Sequence, residues 1–272
     1  MIIYGSRMYF KDRVVKSFAE CDHCGRYGRM TSYQAKKFGH IYFIPLIPMG
    51  EKSQVLRECG SCSMGVHIPV SRLDPVVSSV EERFKSWILE VQQGNTEVEL
   101  SDADIKANVG MLIAGILDDL YCLKLIENVD SISAILMAQG MEYENEIVQA
   151  RWMEIRGTLD QGRARLEAAA KLRPNEGFPR FQMGRLEVLR GNPKGAEEAF
   201  LQYLKTYPDD FAAHIELATL YERANNFAKI VESYDKLYSM KPELIGNAGM
   251  QKLYKKACKK SGIGGKFLAQ MK

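Results

Sequence analysis

Two cysteine pairs, Cys21-Asp-His-Cys24 and Cys59-Gly-Ser-Cys62, are the residues of this chain best suited to chemistry. Two residues between cysteines let both sulfurs of a pair face one ion, and four thiolates in a tetrahedron suit zinc. That ligand set is closed. It leaves no position for water or substrate, so the expected role of a single Zn2+ is structural. Gly25, directly after the first pair, predicts a tight turn with backbone amides aimed at sulfur. His23 and His67 stand near the pairs and could each replace a cysteine, but four thiolates already complete the shell, so both read as surface histidines.

The elements that must hold these pairs are strands. Between the pairs lie 34 residues, among them the apolar, β-prone stretch Ile41-Tyr-Phe-Ile-Pro-Leu-Ile-Pro-Met-Gly50, whose prolines place it at an edge or a turn. With the lead-in Arg13-Val-Val-Lys and the two cysteine pairs, residues 1–75 resemble a zinc-ribbon domain. A rubredoxin-like site is the rival resemblance and would imply iron and electron transfer. The second loop lacks the proline and glycine of that family, and the ligand type favours zinc. Arg26, Arg29, Lys36 and Lys37 could contact phosphate as in some ribbons, with Tyr27 and Tyr33 as stacking partners; a solvated basic face is the plainer reading.

Residues 143–244 repeat every 34 residues. Pro174, Pro208 and Pro242 fall in one column, and the small residues Ala150, Gly184 and Ala218 in another. Gly162, Ala196 and Ile230 form a third, Leu166, Phe200 and Tyr234 a fourth. The pattern predicts pairs of helices: a small residue lets the first approach its partner, a bulky one fills the groove between them, and proline stops the second. Gly157, Gly191 and Asn225 share the column where the first helix must end in a left-handed conformation. These columns resemble the tetratricopeptide repeat family. The resemblance implies a mainly α fold, an α-α superhelix of about three repeats (143–176, 177–210, 211–244) with capping helices on both flanks. It also implies a concave surface lined by the first helix of each pair, which binds a protein or peptide. On that surface Arg151, Arg180, Arg185, His214 and Tyr221 are the candidate partner-binding residues, with Glu146 beside them. The arrangement that clamps acidic C-terminal tails in one variant of the family is not reproduced, because Ile147, Gln182, Ala212 and Glu216 occupy most of its places.

Composition agrees with a multidomain globular chain: 272 residues, 46% hydrophobic and 26% charged. Its longest apolar run, Val109 to Leu117, is too short to cross a membrane. The start lacks the features of a secretory signal, so a cytoplasmic location and reduced cysteines are expected. The net charge of +3 hides an asymmetry, with residues 1–75 at +5, 76–142 at −8, 143–244 at −1 and 245–272 at +7. Residues 76–142 read as an acidic helical connector, with one helix through Val80, Phe84, Trp87, Ile88 and Val91. A second opens at Ser101, with Asp104 three positions on, and Gly110 and Gly115 mark close packing. A third runs from Ile132 to Gln139. Asp102, Asp104, Asp118 and Asp119 read as a solvated acidic face, since no histidine accompanies them. Residues 245–272 read as a capping helix with Leu253, Tyr254 and Ala257 inward and lysines outward. Ser261-Gly-Ile-Gly-Gly265 then stops the helix and frees the last residues. Cys122 reads as core and Cys258 as a spare surface thiol.

No nucleophile–base motif, phosphate-binding glycine loop or open metal site emerges. The expected molecule is a non-enzymatic adaptor. The competing readings are a nucleic-acid-binding protein using the ribbon and the lysine-rich tail, and the iron electron carrier.

Overall fold

The computed structural model describes residues 4–24, 27–41, 44–100 and 105–271. Gly25, Arg26, Ser101, Asp102 and Asp104, each given a role above, lie outside them. The described chain divides into two compact units, Met1–Leu172 and Arg173–Lys272.

The first unit begins with an antiparallel meander of β1 (Tyr4–Glu20), β2 (Tyr27–Ile41), β3 (Ile44–Cys59) and β4 (Val66–Pro69), in that spatial order. Tyr33, Ala35 and Val55 form a small buried cluster against Met8. Buried Gln54 is tied down by donating from Nε2 to the carbonyls of Tyr33 and Val55, both at 3.3 Å. β1 carries two register irregularities, between Tyr9 and Asp12 and between Asp12 and Val15. Phe10 and Arg13 sit there with φ of 55° and 49°. Each bulge turns the strand and re-aims a side chain. The expected proline edge is present, because β4 pairs only with Ser53–Leu56 and the stretch of β3 holding Pro45 and Pro48 is bordered, among the described residues, by β2 alone.

After α1 (Asp74–Gln92) the chain forms a short hairpin, β5 (Glu97–Leu100) and β6 (Ile105–Asn108), before α2 (Val109–Cys122). The helix expected from Ser101 therefore starts eight residues later, with Ile105–Asn108 in a strand. Its N-cap is Asn108, whose side-chain oxygen accepts from the amides of Gly110 and Met111 at 3.0 and 3.3 Å. Gly110 allows the close approach foreseen for it: a Cβ there would lie 2.7 Å from Cβ of Glu144. Gly115 does not, since it is exposed and a Cβ would meet nothing within 4 Å. α3 (Asp130–Ala138), α4 (Glu142–Ile155) and α5 (Leu159–Leu172) complete this unit.

The second unit holds α6 (Phe178–Arg190), α7 (Pro193–Thr206), α8 (Phe211–Ala224), α9 (Phe227–Met240) and α10 (Ala248–Ser261). The 34-residue columns acquire their expected roles. Gly157, Gly191 and Asn225 have φ of 79°, 74° and 52°, and each of Pro174, Pro208 and Pro242 follows the second helix of its pair. Ala150, Gly184 and Ala218 are buried, as are Leu166, Phe200 and Tyr234. Asn192, Asp210 and Asn226 cap the helices that follow them by accepting from the amides of Gly195, Ala213 and Lys229. α10 buries Tyr254 and Ala257 against α9 and leaves Lys252, Lys256, Lys259 and Lys260 exposed.

Two expectations for the C-terminal segment are corrected. Cys258 is buried rather than on the surface, because it lies on the same face of α10 as Tyr254 and Ala257. The last residues are not released by the glycines. Gly262 ends α10 with φ 73°, and the chain then folds back, with the amide of Lys266 donating to Asp235 at 3.1 Å and the Phe267 ring 5.7 Å from Tyr238.

Candidate functional site

Strand geometry brings the four cysteines together. Cys21 and Cys24 stand at the turn between β1 and β2, Cys59 ends β3, and Cys62 lies in the turn that follows. Met30 opposite Cys59 in the ladder is buried between them. The second loop is a tight knuckle: the Cys59 amide donates to the Met64 carbonyl and the Ser63 amide to the Cys59 carbonyl, both at 2.8 Å. Ser61 donates its amide to Cys59 Sγ at 3.3 Å.

All four sulfurs lie within 4.8 Å of one another. Cys21 Sγ is 3.7 Å from Cys62 Sγ, and Cys24 Sγ is 3.9 Å from Cys59 Sγ. These separations are too long for disulfides, and a tetrahedron with metal–sulfur bonds of about 2.3 Å has edges of about 3.8 Å. The four cysteines thus fit a single metal ion. Their acidities diverge because the sulfurs compete for charge. Against the opposing effect of burial, the amides of Cys62 and Ser61 bring the Cys59 thiol down to about 7. Cys62, although the Met64 backbone lowers it, is pushed up to about 12 by burial and the surrounding thiols. A divalent cation removes that conflict by displacing the protons. His23 and His67 are both exposed.

The candidate partner-binding residues divide into two kinds. Arg151 on α4 donates from Nε to Asp118 Oδ1 at 2.9 Å, from Nη2 to the Lys16 carbonyl of β1 at 3.0 Å, and pairs through Nη1 with Glu154 at 2.6 Å. Arg185 is bound to Glu216 at 2.9 Å and lies over the Phe181 ring. Tyr221 is buried and donates to Glu197 at 2.9 Å. Lys229 pairs with the same carboxylate, and this hydrogen bond holds Glu197 below the usual carboxylate range. These three side chains are engaged inside the fold. Arg180 and His214 are half-buried and partly open to solvent, with His214 Nε2 2.9 Å from the Pro208 carbonyl.

Asp118, read from sequence as part of a solvated acidic face, is instead the buried partner of Arg151. Burial lifts its carboxyl to about 6 although Arg151 pulls the other way. The sequence reading also missed Arg13, which donates to the carbonyls of Tyr121 and Ile126 at 3.2 and 3.3 Å and pairs with Glu127. No periodicity marks that contact. It depends on a bulge and a helix end more than a hundred residues apart.

Residues 178–220 match a family model described as tetratricopeptide repeat. The helical array is of the tetratricopeptide type. The match spans α6, α7 and most of α8, the second pair and the start of the third. A solved structure titled MamA AMB-1 is similar over 68% of this chain and 84% of that one, at 11% identity and a TM-score of 0.40. No curated protein matches the sequence. No helix among the described residues is long and apolar enough to cross a membrane.

Proposed function

We propose that the protein is a non-enzymatic adaptor in a reducing compartment, with one structural Zn2+ on Cys21, Cys24, Cys59 and Cys62 and a protein or peptide held on the tetratricopeptide face. The repeat architecture carries this reading: successive helix pairs with small residues at their crossings form a scaffold that presents side chains without moving them. On this proposal Arg180 and His214 contact the partner. Arg185 and Tyr221 act as positioning residues in the second unit and Arg151 in the first, since each is already bonded within its own unit. Zinc is favoured over iron because tetrahedral thiolates suit it and the second loop departs from the rubredoxin-like pattern, with Gly60 where that family's loops carry proline. The working division is a metal module at 1–75, a connector at 76–142, repeats at 143–244 and a cap at 245–272.

Affinity capture with the full-length chain tests the recognition face. Partners retained by the wild type should be lost by Arg180→Glu/His214→Glu and kept by Lys252→Glu/Lys256→Glu on α10. The reverse pattern, with steeply salt-dependent binding to generic RNA or DNA, would instead support the nucleic-acid reading. Metal analysis of anaerobically purified protein distinguishes colourless zinc from coloured, reducible iron.

A further inference from the structure

The end of the sheet away from the cysteines exposes apolar side chains that the fold does not use. On β3, Ile44, Leu46, Ile47 and Met49 are 60, 55, 66 and 44% exposed, and Phe10 on β1 is 70% exposed. Phe10 and Tyr9 lie against Phe38 at 5.3 and 6.2 Å between ring centroids, and Tyr9 lies 6.1 Å from His40. The basic residues Lys36, Lys37 and Lys52 border this patch, with Lys37 opposite Met49 and Lys36 opposite Lys52 in the ladder. Between residues 36 and 52 the single acidic residue is Glu51, which accepts from the Ser71 hydroxyl at 2.8 Å, and Lys52 is paired with Asp12 of β1 at 3.4 Å. Aliphatic residues thus project at one end of a long hairpin, aromatic residues cluster beside them, and ammonium groups stand behind.

Three kinds of surface could cover such an end. Addition of another strand is opposed by Pro45 and Pro48, which lack the N–H groups an edge must offer. Self-association through the same patch would bring Lys36 and Lys37 of one copy against those of another. An anionic bilayer meets neither obstacle. Its acyl boundary accepts aliphatic side chains, its interface favours aromatic rings, and its headgroups neutralise lysines whose stems remain in apolar surroundings. We propose that this end of the sheet is a peripheral membrane anchor, with Ile44, Leu46, Ile47 and Met49 entering the interface of an anionic bilayer while Lys36 and Lys37 contact its headgroups. The anchor goes beyond the adaptor role and does not depend on it.

Vesicle sedimentation with the full-length, metal-loaded protein tests the anchor. Vesicles of phosphatidylcholine with roughly one-fifth phosphatidylserine should bind it, and pure phosphatidylcholine should bind it weakly. Ile44→Ser/Leu46→Ser/Ile47→Ser/Met49→Ser should lower binding by about tenfold or more, and Lys36→Glu/Lys37→Glu should lower it in a salt-dependent way. Unchanged circular dichroism and metal content show that these exposed positions were altered without unfolding. Lys252→Glu/Lys256→Glu should leave binding intact. Independently, the emission of a Leu46→Trp variant, measured against wild type, should shift to shorter wavelength on the anionic vesicles and be quenched by brominated lipid. Failure of the wild type to sediment, equal binding by the serine variant, or loss of binding only in the α10 variant would each overturn the anchor. So would a concentration-dependent dimer that the serine variant abolishes while no vesicle binding is found.

Discussion

Arg151 shows how a residue with a binding-site profile can be committed to the fold. It is charged, planar and on the first helix of a repeat, yet its guanidinium joins α4 to Asp118 of α2 and to a β1 carbonyl. Asp118 keeps only 17% of its side-chain surface exposed and Glu154 13%, so removal of Arg151 leaves two shielded carboxylates without their shared counter-charge. Arg151→Met should therefore destabilise the first unit by about 3 kcal/mol, and Arg151→Met/Asp118→Leu should recover part of that loss because Glu154 is then the one carboxylate left without its partner. Urea denaturation of the three proteins measures both values. Equal destabilisation by the single and double substitutions would show that the lost Lys16 and Glu154 contacts, not the orphaned Asp118 carboxylate, dominate. The sequence could not distinguish these roles for Arg151. Type and position along a helix are local properties, whereas the identity of a partner 33 residues away in α2 depends on packing. The four cysteines were legible for the opposite reason, since their chemistry is stated by their type and their pairwise spacing.

Among the elements, legibility follows the same division. The helix pairs, their proline stops and their left-handed ends could be read from columns 34 residues apart, because each role repeats and each has one or two residue types that satisfy it. The β5–β6 hairpin could not, since its four-residue strands leave almost no periodicity and Ser101 imitates a helix cap. The columns also make a quantitative prediction. A Cβ at Gly184 would lie 2.5 Å from the Phe200 ring, which is fully buried. The equivalent positions in the first pair are Ala150 and Leu166, a larger residue facing a smaller one. Gly184→Ala alone should cost about 1–3 kcal/mol through overpacking. Phe200→Leu alone should leave a cavity, with about 1 kcal/mol or more lost. Together they recreate the first pair's combination, so the double substitution should cost less than the sum of the singles. A double-mutant cycle by chemical denaturation reads the coupling. Strict additivity would mean that the columns are aligned in sequence without being complementary in packing.

At the scale of the whole molecule, the two compact units differ in what holds them. The second, Arg173–Lys272, has continuous helix-on-helix packing in which Phe200, Leu237, Tyr238 and Tyr254 are fully buried. The sheet of the first carries, among the described residues, small clusters around Tyr33 and Val55 and, at the cysteine end, Met30 among the sulfurs. A metal that binds the folded but not the unfolded sites would cross-link two turns of this sheet and stabilise it by mass action. If zinc occupies the site, a strong chelator or Cys24→Ser should expose residues 1–75 to proteolysis while the fragment beginning near Arg173 survives with its helical dichroism. Thermal unfolding should then show a metal-dependent transition for the first unit beside one for the second whose midpoint does not move with zinc concentration. Metal-free protein with residues 1–75 as protease-resistant as before would overturn the structural role of the metal, and a second transition that tracks zinc would show the two units unfolding together.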